Sequence, residues 1–131
     1  MKKDINIPQS KDVHIAIVLE EHPEYHTMDW NAYIINSGDT PVEMAIIVSK
    51  GFSDKKITGE FRHQVKLLPA QGYAKIEFIE KKLLDIDNQF SVTYFRDNQL
   101  FDKTFLFKAK SIKESNLENI PVMNSKGVVA N

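Results

Sequence analysis

A polar segment at residues 20–26 contains residue types that could bind a metal ion. Two histidines, His22 and His26, lie four positions apart, with carboxylates between and before them. Imidazole nitrogen and carboxylate oxygen are common zinc ligands, and His22, Glu24 and His26 would share one face of an extended segment. Pro23 disfavours the helix that would bring the two histidines together at i and i+4. We interpret the segment as a polar loop, in which His22, Glu24 and His26 are the candidate metal ligands.

The other chemically suggestive segments each lack an essential residue. Residues 85–90 open with alternating acidic residues, as a calcium loop does, but Phe90 stands where that loop needs glycine. Residues 61–64 (Phe-Arg-His-Gln) place an arginine beside a histidine, which could bind an anion. Alternating charges also protect an edge strand, and we favour that interpretation. The glycines are isolated and none flanks a serine as in a nucleophile elbow. We expect no enzyme activity, no catalytic residue and no cofactor.

The composition narrows the classes of function. The chain has 131 residues, with 17 basic and 18 acidic side chains and a formal net charge of −1. Nucleic-acid binders usually carry a basic excess, so we expect no nucleic-acid partner. The absence of cysteine excludes disulfides and thiolate chemistry, and it fits a reducing compartment. No apolar run approaches the roughly 20 residues that span a membrane, and no secretory signal follows Lys3, so we expect a cytoplasmic protein without a membrane partner.

Short runs of alternating apolar and polar residues dominate the chain, and such period-two patterns are typical of half-buried strands. In the fifth run, Ala74, Ile76 and Phe78 are predicted to share one face, opposite Lys75 and Glu77. The mixed face of the fourth run predicts an edge position, and residues 80–87 are the one helical candidate inside the domain. The predicted strands span residues 13–20, 28–36, 42–49, 57–68 (one strand or two), 74–78, 90–94 and 100–108.

About seven strands at turn intervals of roughly 8–12 residues predict an all-β, immunoglobulin-like β-sandwich, with a small β-barrel as the alternative. Trp30 is predicted to belong to its core. We assign residues 1–110 to the sandwich and residues 111–131 to a C-terminal arm. Residues 111–114 (Ser-Ile-Lys-Glu) match a capping box and predict a short helix. The apolar residues of the arm indicate that it packs on the domain or on a partner.

Several segments together resemble a family of short bacterial proteins, and the resemblance extends over nearly the whole chain. The segments are residues 30–36 (Trp-Asn-Ala-Tyr-Ile-Ile-Asn), 48–52, 68–70, 74–77 and 120–123. Members of that family are often labelled phenylalanyl-tRNA synthetase alpha subunit. Residues 61–64 are similar to the Phe-Arg-x-Glu motif of such synthetases, but Gln64 replaces the acid and the chain is too short for their catalytic domain. The resemblance therefore implies no activity and transfers no catalytic residues.

The leading hypothesis is a non-enzymatic interaction or scaffolding domain that binds a protein partner or a second copy of itself. It rests on the missing catalytic signals and on apolar residues in both terminal arms, Ile5 and Ile7 at one end and residues 120–129 at the other. Such arms can add a strand to the edge of a neighbouring sheet. One alternative is a small-molecule or metal-binding module that uses the His22 and His26 loop or a pocket between the sheets. The other is an accessory factor in translation, which only the family label suggests.

Overall fold

The structure, a computed structural model, describes residues 11–54 and 56–130, which form nine β-strands and two short 3-10 turns. All strand pairings are antiparallel among the described residues. The 3-10 turns span Lys81–Asp85 and Glu114–Asn116. The strands are β1 (Val13–Glu21), β2 (Met28–Asn36), β3 (Val42–Ser53), β4 (Lys56–Leu68), β5 (Gly72–Ile79), β6 (Asp87–Arg96), β7 (Gln99–Phe107), β8 (Glu118–Asn119) and β9 (Lys126–Val129).

The strands form two sheets, ordered β5-β2-β1-β9-β8 and β4-β3-β6-β7. The first, second and fifth strands share one sheet, while the third, sixth and seventh share the other. In an immunoglobulin-like sandwich, strands A, B and E face strands C, F and G; the fourth strand here joins the second sheet beside β3, unlike strand D of the constant type. The predicted fold class is confirmed, and neither sheet closes into the alternative barrel. As predicted, β4 lies at the edge of its sheet.

The main core fills the space between the two sheets. Ile15 and Ile34 of the first sheet face Ile47 and Phe90 of the second, and all four side chains are almost completely buried. Burying a side chain of this size contributes about 1.5–3 kcal/mol relative to leaving it exposed. Trp30, which is predicted to belong to the core, is half-buried and packs against it.

The chain after β7 returns to the first sheet, where it covers both an edge and a face. β9 pairs with β1 from Ala16↔Val129 to Val18↔Gly127, so the edge of β1 has a partner strand. The preceding loop places Ile120 and Met123 against Ala16, Val18 and other residues on the outer face of the sheet, where they form a second, smaller core. The apolar residues of this C-terminal stretch are therefore buried within the chain itself.

One prediction for the C-terminal stretch is wrong, and the apolar residues noted near the N-terminus lie outside the described part of the chain. The predicted capping box at residues 111–114 is wrong: the 3-10 turn begins at Glu114, its N-cap residue is Lys113, and no side chain caps it. Ile112 is buried in the main core, which holds the backbone extended at this point instead of starting a helix. Ile5 and Ile7 lie outside the described residues. Within the described ranges, no helix has the length and apolar character needed to cross a membrane.

Candidate binding site

A concavity lies where the edge strands of the two sheets meet. β4 ends one sheet and β5 ends the other, and the two strands contact each other along the open side of the sandwich. Between them lies a cleft of about 570 Å³, and the 3-10 turn Lys81–Asp85 closes one end. A volume of this size is in the range of small-molecule sites, about 300–1,000 Å³. The lining residues used below are Ser49, Gly51, Thr58, Phe61, His63, Glu77, Phe78, Leu83, Ile86 and Phe90.

Three polar side chains meet inside this cleft. The Ser49 hydroxyl donates a hydrogen bond to Oε1 of Glu77 at 2.7 Å, and Nε2 of His63 lies 2.8 Å from the same oxygen. Only 14% of the Glu77 side chain and 26% of the His63 side chain are exposed. Because Glu77 belongs to one sheet and the other two residues belong to the opposite sheet, the hydrogen bonds also connect the two sheets at their open side.

A β-bulge in β5 turns Glu77 into the cleft. The register of β5 against β2 shifts between Ala32↔Glu77 and Tyr33↔Lys75, so Ile76 is an extra residue in β5. An extra residue reverses the alternation of side chains beyond it, and bulges are common where a side chain must be re-aimed. The prediction that Phe78 shares an inner face with Ile76, opposite Glu77, is therefore wrong: Phe78 is 51% exposed.

A second irregularity shapes the opposite wall of the cleft. The register between β3 and β4 shifts at Gly51, where one residue of β3 faces two residues of β4. The Thr58 hydroxyl accepts a hydrogen bond from the Gly51 amide at 3.0 Å and donates one to the Gly51 carbonyl at 3.2 Å. A Cβ atom at Gly51 would collide with Thr58 Oγ1 and would lie 2.7 Å from Cδ1 of Ile86. A Cβ at this position would therefore force the Thr58 and Ile86 side chains to shift, and Thr58 would lose its present hydrogen bonds to Gly51.

The polar trio is arranged for holding a group in place and not for activating a nucleophile. A nucleophilic serine needs a hydrogen bond to a histidine that accepts its proton. Here the Ser49 hydroxyl donates to Glu77, and His63 contacts the same carboxylate oxygen. Glu77 thus separates the serine from the histidine. A carboxylate held by two neighbours in a concave, largely apolar space is a feature of a binding site.

The predicted metal ligands lie elsewhere, in the exposed loop between β1 and β2. The backbone amides of Glu24 and Tyr25 donate to Nδ1 of His22, and Nδ1 of His26 lies 2.8 Å from Oε2 of Glu21. The local turn therefore already uses one ring nitrogen of each histidine. Across the described residues, no group of three or more histidine, cysteine or acidic side chains could hold a metal ion. Metal binding by His22, Glu24 and His26 stays a prediction.

Three titratable groups away from the cleft have displaced pKa values. Burial lowers the pKa of His14, and the nearby charge of Lys103 lowers it further. Burial and a 2.6 Å hydrogen bond donated to Glu20 raise the pKa of Tyr33. Burial also raises the pKa of Tyr94 to about 12. The Tyr94 hydroxyl is buried and has no hydrogen-bond partner among the described residues.

The side of the molecule around the cleft exposes both backbone and apolar side chains. β4 is 13 residues long, and among the described strands it pairs with β3 alone, so no described strand covers its other edge. Ile57, Phe61 and Leu67 of this strand are each more than half exposed, at 62%, 56% and 57%. A long exposed edge with large apolar side chains is a template for pairing with another strand.

Sequence reasoning singled out the segment containing His63 but missed Ser49 and Glu77. Both lie in strands whose alternation predicted only structural roles, and Glu77 enters the cleft because of a bulge for which the sequence has no glycine or proline signal. Comparisons of the chain with protein families, with curated proteins and with solved structures found no match.

Proposed function

We propose that the protein is a non-enzymatic interaction module that pairs with a second copy of itself along the free edge of β4. The observation that carries this proposal is the long unpaired edge of β4, whose charges complement each other in one antiparallel register. The cytoplasmic location expected from the cysteine-free sequence is part of the same proposal.

The register is centred on His63, which would face His63 of the second copy. Glu60 then faces Lys66 of the other copy, and the symmetry gives this pair twice. Phe61 faces Val65, and Arg62 faces Gln64, so no like charges are opposed between residues 60 and 66. Directly opposed pairs of this kind contribute about 0.2–1 kcal/mol each in an antiparallel sheet.

The position of the bulge supports this register. The extra residue in β4 lies at Thr58 and Gly59, opposite Gly51, and from Glu60 to Val65 the paired strand is regular. The proposed pairing uses this regular part and avoids the bulge. The edge charges that discourage unselective pairing then select one partner, because a shifted register no longer places both Glu60 residues opposite Lys66.

Charge reversal tests the proposal with the full chain. Glu60→Lys would oppose two lysines at each pair, and Lys66→Glu would oppose two glutamates, so each single variant should be monomeric. The double variant restores opposite charges in swapped positions and should recover the dimer. The measurement is the molar mass by light scattering coupled to size-exclusion chromatography, over a dilution series.

The double variant is the decisive sample, because Glu60 also lies 3.8 Å from Lys50 within the chain. If Glu60→Lys acted only through this lost contact, adding Lys66→Glu would not restore the dimer. Lys113→Glu, at an exposed residue of the C-terminal stretch, is the matched control and should leave the mass unchanged. A wild-type chain that stays monomeric at all concentrations would refute self-pairing.

A further inference from the structure

We infer that the cleft between β4 and β5 binds a small organic cation, with an ammonium group beside the Glu77 carboxylate and an apolar body against the cleft wall. The cleft shares Phe61 and His63 with the proposed pairing edge of β4, but its carboxylate comes from β5, so variants at Glu77 and at Glu60 test the two proposals separately.

The first argument is the charge balance inside the cleft. The two lysines at its rim have anionic neighbours, with Lys50 at 3.8 Å from Glu60 and Lys82 at 3.2 Å from Glu80. Among the side chains that the structure describes, Ser49 and His63 contact Glu77, and a histidine carries charge only when it is protonated. A mostly buried carboxylate without a permanent cation favours a positively charged guest.

The second argument is the unused oxygen of Glu77. Ser49 and His63 both contact Oε1, and no described residue donates a hydrogen bond to Oε2. Oε2 is not among the polar atoms sealed from solvent, and Glu77 lines the cleft. An ammonium group could therefore donate to Oε2 without displacing either existing partner, and such charge-assisted hydrogen bonds are the strong ones.

The third argument is the aromatic and aliphatic wall. Phe61 and Phe78 line the cleft from opposite strands, and both are about half exposed, at 56% and 51%. Aromatic faces attract ammonium groups, and they also cover the methylene groups next to the charge. Leu83, Ile86 and Phe90 complete an apolar wall, which suits a cation with a hydrocarbon body.

The alternative guests fit these residues less well. An inorganic anion would have to approach Glu77, whose negative charge opposes it. His63, Glu77 and Glu80 line the cleft, but no group of three histidine, cysteine or acidic side chains among the described residues could hold a metal ion. A neutral apolar guest would leave Glu77 uncompensated.

The test titrates isotopically labelled full-length protein with phenethylammonium and follows the amide resonances by NMR. Phenethyl alcohol, which has nearly the same shape without the charge, is the matched probe. We expect phenethylammonium to shift the resonances around Glu77, Phe78 and Phe61, and to bind at least about tenfold more tightly than the alcohol. Glu77→Gln keeps the size and an acceptor for Ser49, and it should abolish that preference. Glu114→Gln, at an exposed residue of the second 3-10 turn, should leave it unchanged.

Each contrary result overturns the inference. Equal affinities for phenethylammonium and phenethyl alcohol would show that Glu77 does not select charge. Unchanged affinity in Glu77→Gln would place the cation elsewhere, and shifts confined to other surfaces would do the same. Absence of binding by both probes would refute an organic-cation site. Phe78→Leu is a second test that leaves Ser49, His63 and Glu77 intact. Because it removes an aromatic face, it should lower the affinity for phenethylammonium several-fold. A thermal melt of each variant confirms that the domain is folded during the titration.

Discussion

Replacing Asn36 by alanine is expected to be among the most damaging single changes in the domain. Asn36 is completely buried at the end of β2. Its amide nitrogen donates to the carbonyls of Thr40, Leu68 and Pro69 at 2.9, 3.2 and 3.1 Å. Its amide oxygen accepts a hydrogen bond from the Gly38 amide at 3.0 Å, so one side chain connects the turn after β2 to the turn after β4.

The magnitude follows from the hydrogen bonds that Asn36→Ala would remove. The two hydrogens of the Asn36 amide group are shared among three carbonyls, and its oxygen accepts from the Gly38 amide and from the Arg96 guanidinium, so four donated hydrogens are affected and each loss costs about 1–3 kcal/mol. Taking the low end for each gives about 4 kcal/mol, a large part of the 5–15 kcal/mol that stabilises a typical domain. With a denaturant slope of about 1.5 kcal/mol/M, the urea midpoint should fall by roughly 2.5 M.

The assay is urea unfolding followed by the fluorescence of Trp30, the single tryptophan of the chain. Asn36→Asp is a second variant of nearly the same size, and it should also be strongly destabilised because an oxygen would face three carbonyl oxygens. Asn119→Ala, at an exposed residue of β8, is the control and should stay within about 0.5 kcal/mol of the wild type. A loss below about 1 kcal/mol for Asn36→Ala would refute the reasoning, because water or a local shift would then replace the hydrogen bonds.

Three further changes test other parts of the structure. Gly51→Ala should lower the free energy of unfolding, measured with urea, by about 1–3 kcal/mol, because the new Cβ would collide with Thr58. Gly59→Ala should lower it much less, because the nearest atom to its new Cβ belongs to the Phe61 ring at 3.6 Å. Equal losses of stability in the two variants would contradict this explanation. Tyr94→Phe should raise stability by about 1 kcal/mol, since it removes a buried hydroxyl without a partner. With the pKa of Tyr94 raised from 10.0 to about 12, the wild type should lose stability as the pH rises through this interval, because the unfolded chain releases the proton first. Melting curves across this range should show a smaller alkaline loss in Tyr94→Phe, and identical slopes would argue against it. Ile120→Ser should lower the melting temperature by loosening the smaller core, and an unchanged melting temperature would show that the C-terminal loop adds no stability.

The alternation of apolar and polar residues predicted most of the strands, whereas contacts between strands determined the features that the sequence pattern missed. β2 spans Met28–Asn36, as its sequence pattern predicts, and the polar turn at residues 97 and 98 joins β6 and β7. These elements follow from neighbouring residues alone. The orientation of Glu77 does not, because the bulge at Ile76 is defined by the partner strand β2 and not by any residue type in β5. The same limit applies to Ser111, where the capping-box pattern is overridden by the burial of Ile112.

The candidate cleft could not be assembled from the sequence for a related reason. Ser49 and Glu77 come from strands of different sheets, and only the packing of the two sheets brings their side chains to 2.7 Å. The sequence pattern indicated that β4 is an edge strand, because charged and apolar residues share its face. Which residues of that edge could meet a second copy depends on the bulge at Gly51, which alternation alone does not predict.

Because β9 pairs with β1, this edge of β1 stays uncovered until the C-terminal stretch of the chain has been synthesised. Ile17 pairs with Val128, so the strand that covers the edge of β1 leaves the ribosome roughly 110 residues later. At a synthesis rate of about 5–20 residues per second, β9 is complete roughly 6–20 s after β1. Through that interval the backbone edge of β1 and the apolar face of Ala16 and Val18 have no cover from residues 120–129. The nascent domain is therefore most exposed to misassociation just before its final strand docks, and slowing translation near the 3′ end of the message should increase its dependence on chaperones.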